Sequence, residues 1–210
     1  KNVVGKHCPP LFYYFGNIEL IKRPFIGIVG SRTIDDFDIE FTKKIVKKIT
    51  ENNLGIVSGG AKGIDQTASK EALRLGGYAV EYLSDSLLKR VKDLEVIRAA
   101  REGRLLLLSE TNPSSGFNVG FAMKRNKYIY ATSQSTVVVK SDFNKGGTWN
   151  GANENLEKMW TNTLCWNNHS YKGNMELIRR GAQPIDENWD FSNKTKELES
   201  FNRTLFDYEN

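Results

Sequence analysis

The run Ile56-Val57-Ser58-Gly59-Gly60-Ala61-Lys62-Gly63-Ile64-Asp65 limits what this chain can fold into more than any other stretch. A short apolar strand passes straight into a glycine-rich turn, and the turn opens a helix. Glycines let the backbone approach a ligand closely there, and a helix start offers unpaired N–H groups to an anion. The same grammar occurs twice more. Phe25-Ile26-Gly27-Ile28-Val29 runs into Gly30-Ser31-Arg32, and a strand over Thr136–Val139 precedes Lys145-Gly146-Gly147-Thr148.

Unbroken apolar runs of this length read as strands buried on both faces, as in parallel sheets. Between them the spacing predicts helices. One spans 38–52, with Phe41, Ile45 and Ile49 inward and Lys43, Lys44, Lys47 and Lys48 in water. The next turns Ile64, Ala68, Ala72 and Leu75 inward and stops at Gly76-Gly77. A third is expected over 87–100, and further strands over 54–57, 78–83 and 105–108. After a loop with Pro113 and Gly116, a short helix over 120–125 leads to the segment Tyr128–Ala131. The last glycine turn opens a helix with Trp149, Ala152, Leu156 and Trp160 at helical spacing. Strands separated by helices mean right-handed βαβ units. The expected fold class is therefore α/β, a Rossmann-like doubly wound, mostly parallel sheet with helices on both faces.

Residues 1–22, with Cys8-Pro9-Pro10 and Phe12-Tyr13-Tyr14-Phe15, read as an extended lead-in covering the sheet. Residues 23–189 form the expected main domain. In the polar tail 190–210, Leu198, Phe201, Leu205 and Tyr208 share one side if helical, either docked on the domain or presented to a partner. The 210 residues hold 39% apolar side chains, with 11 Phe and 8 Tyr, enough for one full core. A net charge of +5 favours an acidic partner held by a local patch. Two cysteines are too few for a disulfide framework and suit a reducing cytosol, so a cytoplasmic location is expected. No apolar run reaches the length of a membrane span and no signal peptide is visible, so no membrane partner is expected. Lys at position 1 in place of Met suits a fragment of a longer protein.

In an open α/β sheet, ligands sit beyond the carboxyl ends of the strands, at a topological switch point. If the sheet is doubly wound, the three glycine turns project to one edge and form a cradle for a polyanion. Arg32 either forks onto a phosphate or makes an ion pair. Lys62 either reaches a phosphate or is solvated. Asp65 either complements its helix dipole or orients the turn and accepts a hydrogen bond. Lys124-Arg125-Asn126-Lys127, preceded by Phe117 and Phe121, suits single-stranded nucleic acid, whose bases stack while phosphates meet cations. The alternative puts both Phe rings in the core. No GxGxxG follows the first strand and no GxxxxGK[ST] appears. His7, Cys8, Cys165 and His169 are the one metal-type set, in two distant pairs, and neither a metal nor a cofactor is expected. Glu110 and Glu154 are candidate acid/base groups or plain structural carboxylates.

At these residues the chain resembles the DNA-processing protein A (DprA/Smf) family over about residues 8–184. The resemblance rests on Pro9-Pro10-Leu11-Phe12 with Gly16-Asn17, then Ile28-Val29-Gly30-Ser31-Arg32, and then Ser58-Gly59-Gly60-Ala61-Lys62-Gly63-Ile64-Asp65. Ser109-Glu110, Phe117 with Arg125-Asn126-Lys127, and Lys145-Gly146-Gly147-Thr148 complete it. It implies an extended Rossmann-like domain that binds single-stranded DNA, forms a homodimer and helps to load the RecA recombinase in natural transformation, without catalysis. By position, it implies that Arg32 and the Ser58–Gly63 turn hold phosphates. Arg125 and Lys127 would line the same pocket, with Gly146, Gly147 and Thr148 closing its side. The family's basic motif ends in Arg where this chain has Lys127, which keeps the charge and loses the fork. Nothing here resembles a complete N-terminal helical domain or C-terminal winged helix of the family.

The rival from the same superfamily is a nucleotide sensor or a nucleoside-phosphate hydrolase. Phosphoribohydrolases of the lysine-decarboxylase-like type resemble the stretch where Gly146-Gly147-Thr148 precedes Glu154, but the proline and spacing of their PGGxGT are missing. A purely structural interaction module is the third reading.

Overall fold

A computed structural model of the chain describes residues 9–192. Its centre is an eight-stranded sheet in the order β1-β5-β4-β3-β2-β6-β7-β8. These strands are β1 (Tyr13–Gly16), β2 (Phe25–Val29), β3 (Gly55–Ser58), β4 (Ala79–Leu83), β5 (Leu105–Ser109), β6 (Ser135–Val138), β7 (Asn162–Trp166) and β8 (Gln183–Ile185). All neighbours run parallel except β1, which lies antiparallel on β5 with Tyr13 opposite Ser109. The chain winds from β2 outward through β3, β4 and β5, then returns to the other side of β2 with β6. That reversal is the switch point expected of a doubly wound sheet, and it lies between β2 and β6.

The connecting helices are α1 (Asp36–Glu51), α2 (Ile64–Arg74), α3 (Leu87–Arg90), α4 (Leu94–Arg101), α5 (Val119–Thr132), α6 (Gly146–Lys158) and α7 (Lys172–Arg179). Alternation along β2 shows how the two faces are filled. Ile26 and Ile28 join Phe41, Ile45 and Ile49 of α1 and Ile64, Ala68 and Ala72 of α2. Phe25 and Val29 join Tyr128 and Ile129 of α5, Trp149 and Ala152 of α6 and Leu177 of α7. Each of these large side chains contributes about 1.5–3 kcal/mol by leaving water. α1 starts at a reciprocal capping box: Asp35 accepts from the Asp38 N–H, and Asp38 accepts from the Asp35 N–H. Asp38 is fully buried, and it also takes Lys140 Nζ at 2.7 Å and the Tyr171 hydroxyl at 2.6 Å.

Several elements depart from the sequence expectation. Tyr13–Gly16 does not lie over the sheet; it extends it as an edge strand. There Gly16, at φ +104°, leaves no room for a Cβ beside the Leu105 carbonyl. The helix expected over 87–100 is two helices, because Asp93 caps a fresh start by accepting from the Glu95 N–H. The helix expected over 120–125 continues to Thr132, since Tyr128 and Ile129 find the core on a helical stripe. Trp160 lies past the end of α6, which Met159 closes in the left-handed region. β7, α7 and β8 add a further unit that the sequence did not announce. The expected tail side of Leu198, Phe201, Leu205 and Tyr208, and the pair His7 and Cys8, fall outside the described residues.

Candidate nucleic-acid interface

Because β3, β2 and β6 are adjacent and parallel, their carboxyl ends deliver the three glycine turns to one edge of the sheet. The first two turns touch one another, and the first also touches the end of β6. The Ser31 N–H donates to the Lys140 carbonyl at 3.0 Å, and the Ser31 carbonyl accepts from the Ile64 N–H at 3.2 Å. Gly30 packs on the Ile64 side chain and Gly63 packs on the backbone of Ser31 and Arg32. Gly63 has φ +86° and ψ −131°, a conformation that a side chain would strain. On the other side, Asn126 Nδ2 donates to the Gly147 carbonyl at 3.2 Å, tying α5 to the start of α6.

This rim carries cations that nothing neutralises among the described residues. Arg32, Lys62 and Lys145 are exposed, and none makes an ion pair among the described residues. The Arg32 guanidinium lies 4.6 Å from the centre of the Phe117 ring, a cation–π contact that holds it above the rim. Among the described residues Arg32 thus has this ring contact and no ion pair. Phe117 is 50% exposed and Phe121 42%, so the alternative that buried both rings in the core is also set aside. Two helices, α2 and α6, begin at this edge with no side chain capping them, at Gly63 and Lys145. Such ends carry partial positive charge. Gly146, at φ +83°, and Gly147 keep the α6 start open, and Thr148 is half-buried beside them. Beside Arg32, a shallow cleft of 440 Å³ is lined by Thr33, Gln66, Thr67 and Lys70.

Other expected contacts are committed elsewhere. The Ser58 hydroxyl is buried and donates to the Ile28 carbonyl at 2.8 Å, so it fastens β3 to β2 and does not face a ligand. Gly59 is buried, while Gly60, at φ +64°, and Ala61 are half-buried in the turn. Arg125, 5% exposed, lies against Gly59, where any Cβ would overlap its guanidinium, and sits 3.8 Å from Asp65. Lys127 does not share that pocket. It pairs with Glu154 at 3.0 Å, near Trp160, because successive helical positions turn by roughly 100° and three neighbours cannot point one way. Glu110 Oε2 takes the Tyr128 hydroxyl at 2.5 Å and Lys124 at 2.8 Å, while its Oε1 is buried without a hydrogen-bond partner, and Glu154 is paired to Lys127. Cys165 is buried in β7, and burial pushes its thiol up to about 12. Among the described residues no three side chains are grouped to hold a metal ion, and no helix is long and apolar enough to cross a membrane.

Sequence reasoning offered Asp65 as a residue that orients the turn, but missed the buried charges beside it. Asp65 is buried, held by the amides of Ala61 and Gly59, with Glu81 of β4 close by. Glu81, itself fully buried, takes Arg90 at 3.2 and 3.1 Å. A glutamate inside the apolar strand Ala79-Val80-Glu81-Tyr82-Leu83 was the available signal, since a buried charge needs a partner.

The family model described as DNA recombination-mediator protein A matches residues 1–196. The chain belongs to that family. Among relatives of the DNA recombination-mediator protein A family, DNA processing protein DprA of Streptococcus pneumoniae is 30% identical over 147 residues, covering 66% of this chain and 49% of that protein. Protein Smf of Synechocystis is 29% identical over 186 residues, covering 84% and 46%. The chain thus spans about half the length of the curated relatives it matches. The solved structure of the Streptococcus pneumoniae DprA superposes with a TM-score of 0.72 at 25% identity, covering 92% of this chain and 67% of that one. DNA processing protein A of Helicobacter pylori, solved for its single-stranded DNA binding mode, shares the fold with a TM-score of 0.74 at 23% identity, covering 90% and 87%.

Proposed function

We propose that this chain binds single-stranded DNA along the carboxyl edge of β3, β2 and β6, and that it acts by binding, without covalent chemistry. The observation that carries the reading is that Arg32, Lys62 and Lys145, all exposed and unpaired among the described residues, stand on turns at one edge of the sheet, by the uncapped starts of α2 and α6. Phosphates meet the cations and helix ends, and bases stack on the exposed faces of Phe117 and Phe121. Arg32 is the central contact, since Phe117 already fixes its plane. Arg125, Asn126 and the Ser58–Gly63 turn serve this reading as the frame under the contacts, and Gly146, Gly147 and Thr148 as its flank. Lys127 supports α6. Membership of the family supports extending the reading to DNA processing in the cytoplasm, as a homodimer, with RecA as a partner.

The test is a binding titration with single-stranded DNA of increasing length, at two salt concentrations, against a mononucleotide. Affinity should rise with length, tolerate sequence and fall steeply with salt, because each neutralised phosphate releases counterions. Tight binding of the mononucleotide with indifference to oligonucleotide length would overturn the reading in favour of a nucleotide sensor.

A further inference from the structure

Directly under the glycine turn of β3 lies a buried pair of charged groups that strand binding does not use as contacts. Asp65 of α2 is 6% exposed and Arg125 of α5 is 5% exposed. Their nearest nitrogen and oxygen are 3.8 Å apart, beyond hydrogen-bond reach, and Arg125 Nε and Nη1 are buried without a hydrogen-bond partner. The Asp65 carboxylate is held on its other side by the amides of Ala61 and Gly59. One carboxylate therefore both shapes the turn and balances a guanidinium, just beneath the rim that carries Arg32 and Lys62.

We infer that Asp65 is a positioning residue whose protonation is coupled to strand binding, so that the protein takes up a proton when a phosphodiester settles on the rim. This rests on the single-stranded DNA reading above and deepens it. The groups around Asp65 define the balance. Arg125 from α5 and the two amides favour its charged form; Glu81 from β4, held by Arg90 of α3, disfavours it. Tyr130 of α5 faces it as a neutral phenol, which burial keeps protonated. Arg32 from the turn after β2 and Asp85 from the turn after β4 act on Arg125 with opposite sign. Burial is the largest influence and pushes the carboxyl up to about 6. An arriving phosphate brings negative charge near Asp65 and, like Glu81, shifts it further up. Linkage then makes affinity flat below about pH 6 and lowers it above, by at most about tenfold per pH unit for one proton.

The experiment measures the dissociation constant for a polythymidine oligonucleotide at fixed ionic strength between about pH 5 and 8, for the wild type and Asp65→Asn. Asparagine keeps an acceptor for the turn amides and removes the Asp65 titration, so a pH dependence that arises elsewhere persists in the variant. The expected result is a wild-type affinity that falls above about pH 6 while the Asp65→Asn affinity stays within about twofold across the range. Wild-type binding without pH dependence, or the same slope in Asp65→Asn, overturns this inference and leaves strand binding standing. Absence of wild-type binding at every pH overturns both. If Asp65→Asn does not fold, calorimetry of wild-type binding in two buffers of different ionisation enthalpy counts the protons directly. Uptake of a fraction of a proton near neutral pH supports the coupling, and zero uptake overturns it.

Discussion

Replacing Gly63 by alanine tests whether the turns at the rim are locked together by backbone contact. Gly63 has φ +86° and ψ −131°, and a residue with a side chain loses about 1–3 kcal/mol there. A Cβ would also overlap the Ser31 carbonyl and lie 2.8 Å from Arg32 Cα and 2.9 Å from Arg32 C. Those atoms are backbone, so the turn after β2 must move. Gly76 provides the internal control, since at φ +79° a Cβ there meets nothing within 4 Å. Its alanine variant suffers backbone strain alone, about 1 kcal/mol after the gain from a stiffer unfolded chain. Urea unfolding should therefore show a loss of about 3 kcal/mol for Gly63→Ala against about 1 kcal/mol for Gly76→Ala. Only the former should also weaken oligonucleotide binding, because it displaces Arg32. Equal losses and equal affinities in the two variants would refute the claim that Gly63 couples α2 to the Arg32 turn.

Three further outcomes follow from buried groups. Asp38→Ala removes the partner of Lys140 and Tyr171 and half of a capping box, and should cost about 3–5 kcal/mol in urea unfolding; a loss below about 1 kcal/mol contradicts it. Asp65 has its folded pKa raised from 3.8 to about 6, so its neutral form favours the folded state at low pH. That advantage is present below about pH 4 and is lost as pH rises to about 6, worth about 3 kcal/mol, and Asp65→Asn should lack this segment of the stability curve. Cys165, in a Cys8→Ser background, should stay unreactive to a thiol reagent at mildly alkaline pH until the protein unfolds, because burial pushes the thiol up to about 12. Modification at the rate of a free thiol in the folded protein would show otherwise.

The strands β2, β3 and β6 with their glycine turns were legible because each is a local signal, an apolar run, then glycine, then a helical stripe, while β4 and β5 showed as apolar runs alone. Convergence of the turns followed from topology, since parallel neighbours end on one edge. β1 was harder. Tyr13-Tyr14-Phe15-Gly16 has no alternation, and its partner, β5, begins about ninety residues later. Helical geometry alone was enough to part Arg125 from Lys127, but the side each would take depended on α6, whose Glu154 claims the lysine. The Asp65–Arg125 pair spans two helices and could not be read from either. Phe117 and Phe121 were ambiguous in sequence because an aromatic at helical spacing fits a core as well as a stacking surface; the helix start at Asn118 leaves both outside.

Arg32 offers the most direct test of the whole account. The salt dependence of affinity for single-stranded DNA reports how many phosphates are neutralised, with a slope of about −0.7 per contact in a plot of log affinity against log salt. If Arg32, Lys62 and Lys145 are the contacts, the wild-type slope should be about −2. Arg32→Ala should flatten it by about 0.7 and weaken binding to all sequences alike. An Arg32→Ala protein with wild-type affinity and an unchanged slope would contradict the assignment of this rim to a sugar–phosphate chain.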